Sequence, residues 1–94
     1  MEINVIPKGK KRKEEIAKNE GWSANLTDFI YLCTNYGERK WFIREMISSF
    51  GISINGIKID DPYYEIQVGD VIHIKWDDFS YYGNATSNMI ERTW

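Results

Sequence analysis

The sequence predicts an α+β fold, a helical hairpin packed on a small, mainly antiparallel sheet. Three observations carry this expectation. Apolar residues recur at helical spacing in two neighbouring segments, short β-branched runs come after them, and turn-forming dipeptides separate those runs. Ninety-four residues, 43% hydrophobic and 28% charged, have the size and balance of one globular domain with a single small core.

From the N-terminus, residues 1–6 alternate weakly, as an edge strand or an extended arm would. Residues 7–13 are polar and basic around Gly9 and read as a flexible tail; residues 14–19 fit a short helical turn ended by Gly21. The first full helix is expected within residues 23–35, where Leu26, Phe29, Ile30 and Cys33 follow the i, i+3, i+4, i+7 spacing of one buried stripe. Ser23 or Asn25 can cap it, since either side chain can accept a hydrogen bond from a free backbone N–H, and Gly37 breaks the chain after it.

The second helix is expected over residues 38–49, with Phe42, Ile43, Met46 and Ile47 on its apolar face and Phe50 continuing that face. At about 100° per residue, Lys40, Arg44 and Ser48 share one flank, and Trp41 projects beside it. Strands are then expected at 52–54 and 57–59, around an Asn55-Gly56 turn that reaches positive φ at little steric cost. Turns at Asp60-Asp61-Pro62 and Gly69-Asp70 bracket a short piece near 65–68 and a last strand at 71–76. Beyond Asp77 the pattern dissolves into a polar and aromatic tail. No internal repeat is present.

Composition narrows the function classes. Cys33, the only cysteine, excludes an internal disulfide and a multi-cysteine metal site, and on the apolar stripe it reads as a small buried hydrophobe. No apolar run is long enough to span a bilayer, and the first residues lack the apolar core of a secretory signal. Asn84-Ala85-Thr86 fits a glycosylation sequon, a triplet frequent by chance. His73, the only histidine, has the opposite parity to Ile72, Ile74 and Trp76 and so faces away from the core, with no paired nucleophile. The acidic pairs Asp60-Asp61 and Asp77-Asp78 read as turn residues rather than metal ligands. No cofactor, catalytic residue or small-molecule substrate is expected.

The net charge is only −2, but the charge is unevenly spread: Lys8, Lys10, Lys11, Arg12 and Lys13 crowd one segment, and Arg39, Lys40 and Arg44 form a second basic group. Local field governs approach to a phosphate backbone, so an acidic average does not exclude nucleic acid. Each feature has a plainer reading as well. The Lys40/Arg44 flank can be a solvated helix face, Trp41 can be covered by a terminal segment rather than stack on a base, and the basic segment can be a solubilising tail.

The run Ile52-Ser53-Ile54-Asn55-Gly56, then Pro62-Tyr63-Tyr64, then Gly69-Asp70-Val71-Ile72, after a helix with Lys40 and Arg44 at its two basic positions, resembles an RNA-binding module. This is the alpha-L RNA-binding motif of small-subunit ribosomal protein S-four, shared by tyrosyl-tRNA synthetases, pseudouridine synthases and heat-shock protein fifteen. The resemblance covers residues 26–76, with Trp41 and Phe42 replacing the usual Ser and Glu, and Phe50 the usual Gly. It implies a basic arm at 1–22, an RNA-binding domain at 23–76 and a tail at 77–94. It further implies binding of structured ribosomal RNA beside neighbouring ribosomal proteins, on a ribosome of the mitochondrial matrix or bacterial cytoplasm. The implied RNA contacts are the cations at 8 and 10–13, with Arg39, Lys40, Trp41, Arg44, Ser48 and Lys58. Three rivals stand beside this reading: a stand-alone or regulatory RNA binder, an interaction subunit that docks through its aromatic tail, and a ubiquitin-like sulfur carrier. The last lacks a C-terminal Gly-Gly, since the chain ends Arg92-Thr93-Trp94.

Overall fold

A computed structural model describes residues 23–94. The element order is β1 (Ser23–Asn25), α1 (Leu26–Cys33), α2 (Lys40–Phe50), β2 (Ile52–Ile54), β3 (Ile57–Ile59), β4 (Glu65–Gln67), β5 (Val71–Trp76), β6 (Phe79–Asn84) and α3 (Ser87–Arg92). The strands form two antiparallel sheets, β1-β4 and β3-β2-β5-β6.

This corrects the fold class. The expected α+β hairpin-on-a-sheet gives way to a small β-rich domain, with six strands in two antiparallel sheets and three short helices among the described residues. The difference has a physical origin in non-local pairing. Ser23–Asn25, expected as the capped start of the first helix, also forms a strand that pairs with Glu65–Gln67 some forty residues on. Residues 79–92, expected as an irregular tail, supply a full-length edge strand against β5 and a terminal helix.

Local signals place the helices. Asn25 has extended backbone and its Oδ1 accepts hydrogen bonds from the N–H groups of Thr27 and Asp28, so the chain turns from strand to helix at that residue. Leu26, Phe29 and Ile30 are then fully buried, as the stripe requires. Cys33 at its end is half-buried; its thiol donates to the Met89 carbonyl, and burial pushes its pKa up. In α2 only Ile43 and Ile47 are fully buried, with Met46 packed beside them. Phe50 does not continue this face: it is 61% exposed. Gly51 ends the helix at φ 72°, its N–H bonded to the Ile47 carbonyl.

The core joins these side chains to Ile52, Ile54, Ile66, Ile72, Ile74, Trp76 and Ile90. Along β5 the burial alternates, with Ile72, Ile74 and Trp76 inward and His73 and Lys75 outward. The buried Trp76 indole donates to the Gly51 carbonyl at 2.9 Å, tying β5 to the end of α2. Tyr36 lies against Phe79 and Trp76, with ring centroids 4.5 and 5.5 Å away, and its hydroxyl donates to Asp78 at 3.0 Å. Trp94 closes the fold, its indole donating to the Ser23 carbonyl.

One local assembly fixes the register of the larger sheet. Asn55 and Gly56 have φ of 55° and 83°, the left-handed pair of a tight hairpin turn between β2 and β3. The Asn55 amide then reaches across to the next turn: its Nδ2 donates to Asp70 Oδ1, and its Oδ1 accepts from the Val71 N–H, both at 2.9 Å. Asp70 Oδ2 accepts from the Gln67 N–H at 2.9 Å. Asn-Gly and Gly-Asp are thus the two halves of one clasp.

Candidate functional site

The outer face of the four-stranded sheet carries a cross-strand row. Ser53 of β2 is directly opposite Lys58 of β3 on one side and His73 of β5 on the other, and His73 is opposite Tyr82 of β6. Directly opposed residues have Cβ atoms about 5 Å apart, so these side chains converge on one patch of surface. Lys75 projects from the same face two residues beyond His73. Phe50, Ser53, Lys58, His73 and Lys75 line an open groove of about 280 Å³ there. Its lining holds two ammonium groups and an imidazole but no carboxylate.

Two features hold the groove in shape. The His73 ring meets the Tyr82 ring edge-to-face, with centroids 5.1 Å apart. The Lys58 stem lies over Gly51, where a Cβ would stand 2.8 Å from Lys58 Cε and 3.1 Å from the Ile59 carbonyl oxygen. A side chain at position 51 would therefore displace Lys58 toward solvent.

The residues expected as RNA contacts do not form one surface. Trp41, Arg44 and Ser48 come together, with Glu45, Ser49 and Tyr63, around a separate hollow of about 470 Å³. Lys40 turns away from it: its ammonium pairs with Asp28 at 3.0 Å and sits 5.2 Å from the centre of the Tyr31 ring. Arg39 is the exposed N-cap of α2, its carbonyl accepting from the Phe42 and Ile43 N–H groups. Lys58 lines the sheet-face groove. Lys8, Lys10, Lys11, Arg12 and Lys13 lie outside the described residues.

Ser53, His73 and Lys75 were missed as binding candidates from sequence. The signal was the period of two along β5 and the β2–β3 pairing fixed by Asn55-Gly56, which together predict that these residues share a face. Among the described residues, no helix is long and apolar enough to cross a membrane.

The outer face of this small β-rich domain carries a cationic groove with the charge to meet an anionic ligand. Residues 29–75, half of the chain, match the family model of the FHA domain, a phosphopeptide-binding module; the chain belongs to the FHA domain family. Its β-rich architecture agrees with that membership. Comparison with curated proteins and with solved structures returns no significant match.

This finding overturns the S-four resemblance and what it implied: ribosomal RNA binding, ribosomal-protein neighbours and a place in the small ribosomal subunit. The physical reason lies in the motif itself. Asn-Gly and Gly-Asp at this spacing build the Asn55–Asp70 clasp, a joint between adjacent turns that says nothing of what the sheet binds.

Proposed function

We propose that this domain mediates protein–protein interaction by recognising a phosphorylated segment of a partner, and that the phosphate sits in the groove of Lys58, His73 and Lys75. The observation that carries this reading is a coincidence of place and chemistry. All the groove residues, from Phe50 to Lys75, fall within the segment that matches the FHA domain, and no carboxylate opposes their charge. A phosphoryl group carries nearly two negative charges at neutral pH and three strong acceptor oxygens. Two ammonium groups neutralise that charge, and the Ser53 hydroxyl and a His73 ring N–H add donors of the right reach. The domain acts by binding; no bond is made or broken in the site.

Fluorescence anisotropy with matched phosphorylated and unphosphorylated peptide libraries tests this reading. Binding is expected to require the phosphate, to weaken with added salt, and to fall at least tenfold in the Lys58→Ala/Lys75→Ala double variant. Equal binding of phosphorylated and unphosphorylated peptides, or full affinity in the double variant, refutes it.

A further inference from the structure

The two edges of the four-stranded sheet are not alike. β3 is three residues long, carries Lys58 and runs on to Asp60-Asp61-Pro62, features that discourage a further strand. β6 is six residues long and pairs with β5 in unbroken register on one side; among the described residues no strand pairs with its other side. Its sequence, Phe79-Ser80-Tyr81-Tyr82-Gly83-Asn84, has no charge, no proline and no bulge. Proteins ordinarily blunt an open edge with one of these, so a long bare edge is a template for pairing.

The register fixes which backbone groups that edge presents. The Asn55 N–H donates to the Val71 carbonyl at 2.9 Å, so Val71, and with it His73 and Lys75, turns its backbone groups toward β2. Ile72, Ile74 and Trp76 turn theirs toward β6, where they oppose Gly83, Tyr81 and Phe79. Ser80, Tyr82 and Asn84 therefore point their N–H and C=O groups out of the edge. All three are exposed, Tyr82 by 72%.

The strand is complementary to itself. Antiparallel pairing of two β6 strands about Tyr82 sets Tyr82 opposite its own copy, Ser80 opposite Asn84 and Tyr81 opposite Gly83. Of the registers centred on one residue, this one uses all three outward residues. On the outer face it gives an aromatic pair flanked by two hydroxyl–amide pairs, with no like charges opposed. On the inner face each Tyr81 ring meets a residue without a side chain across the strand. Its hydroxyl oxygen already lies 3.0 Å from where a Cβ on its own Gly83 would stand, so only glycine leaves room there for both rings.

We infer that β6 is a dimerisation edge, through which two copies of this chain join antiparallel on a two-fold axis at Tyr82 to form one continuous sheet. That axis is perpendicular to the sheet, so both outer faces lie on the same side. The row of Lys58, Ser53, His73 and Tyr82 then runs on into its copy. Five strand spacings of about 4.8 Å separate the two Ser53 residues, a distance of about 24 Å. On the phosphopeptide reading above, a doubly phosphorylated partner meets two grooves at once. One pair of six-residue strands is a small interface, so the association belongs to the weak, reversible class.

Sedimentation velocity of the full chain, with no peptide present, tests the inference. The sedimentation coefficient is expected to rise from monomer to dimer between about 10 μM and about 1 mM. Ser80→Lys/Asn84→Lys and Ser80→Glu/Asn84→Glu each oppose like charges across the axis, and each alone should stay monomeric over that range. An equimolar mixture of the two, in which every ammonium meets a carboxylate, should dimerise again. Ser80→Pro removes an outward N–H and spares the β5–β6 ladder, so it too should be monomeric, with circular dichroism confirming its fold. The inference is overturned by a wild-type chain that stays monomeric at the top of the range, by association that a folded Ser80→Pro variant retains, or by charge variants that do not associate when mixed. No phosphopeptide enters these measurements, so this inference and the phosphopeptide reading fail separately.

Discussion

The Asn55–Asp70 clasp is the most exacting place to perturb this domain, because three separate contributions meet in one side chain. Asn55 adopts φ 55°, a region that costs an ordinary L-residue about 1–2 kcal/mol but suits Asn and Gly. Its amide also makes two hydrogen bonds, to the Val71 N–H and to Asp70, each at 2.9 Å. Each such bond contributes about 0.5–1.5 kcal/mol net. Asn55→Gly keeps the backbone conformation and deletes both side-chain bonds, so it should cost about 1–3 kcal/mol, partly through the greater freedom of the unfolded chain. Asn55→Ala deletes the same bonds and adds backbone strain, and should cost about 1 kcal/mol more. Asn55→Asp keeps an acceptor for Val71 but replaces the donor to Asp70 with a second carboxylate, so its destabilisation should shrink as salt is added.

Thermal melts followed by circular dichroism read the series directly. In a domain of this size, 1 kcal/mol moves the midpoint by about 4–8 °C. The expected order of midpoints is wild type, then Asn55→Gly, then Asn55→Ala. An Asn55→Gly midpoint equal to the wild type would mean that the clasp bonds contribute nothing beyond what water provides, and the account of the Asn-Gly/Gly-Asp motif would fall. The clasp also sets Ser53 of β2 between Lys58 of β3 and His73 of β5. Asn55→Gly is therefore expected to weaken phosphopeptide binding several-fold at temperatures where the domain is still folded.

The two glycines near the groove should respond differently. Gly56→Ala meets only backbone strain, since nothing lies within 4 Å of an added Cβ, and should cost about 1 kcal/mol. Gly51→Ala meets the same strain, a backbone oxygen at 3.1 Å and the Lys58 stem; its cost should be about 2–3 kcal/mol by denaturant melts, with a loss of phosphopeptide affinity that Gly56→Ala does not share. Tyr36 offers a pH test. Burial, and then its hydrogen bond to Asp78, push its pKa up to about 12 from 10 in the unfolded chain. The neutral phenol is thus favoured in the fold, so its contribution is complete below pH 10 and lost as pH rises toward 12. Burial raises Tyr81 as well, so ultraviolet difference titration should show a late-ionising phase from which Tyr36→Phe removes one tyrosine's amplitude; an unchanged amplitude in the variant would reassign it. The Cys33 thiol, raised by burial, should react with a thiol reagent more slowly than free cysteine at pH 8, and reaction at the free rate would contradict its burial.

The sequence carried the local half of this fold and concealed the non-local half. The stripe of Leu26, Phe29 and Ile30, the Asn25 cap and the positive-φ pair at Asn55-Gly56 are short-range patterns, and each is present as read. The pairing of β1 with β4 was not legible: three residues, Ser23-Ala24-Asn25, are too few to show a period of two, and they look like a helix entry. The last strand was concealed by its turn. Asp77-Asp78 joins β5 to β6 without the Asn-Gly or Asp-Gly signature of a tight hairpin. The alternation of Phe79, Tyr81 and Gly83 with Ser80, Tyr82 and Asn84 therefore passed for a polar tail, although its burial alternates residue by residue.

The error over function has the same root. Asn-Gly and Gly-Asp at this spacing look like a ligand-binding motif but join two turns. Asn55 and Asp70 spend their side chains on one another and on the backbone, which leaves neither free to define a partner. What the clasp contributes to binding is placement: it brings Lys58 of an edge strand and His73 of a central strand to the same row across Ser53. The same joint can support a sheet whose outer face is acidic, apolar or basic. On the reading proposed above, the ligand is chosen by outward residues between the turns, among them Ser53, Lys58, His73 and Lys75. A Ser53→Asp substitution makes the distinction measurable. It leaves the clasp and the core untouched, so the thermal midpoint should change by less than about 4 °C. It also sets a carboxylate between Lys58 and His73, and phosphate-dependent binding should fall at least tenfold. Retained binding with an unchanged midpoint would remove the phosphate from this face.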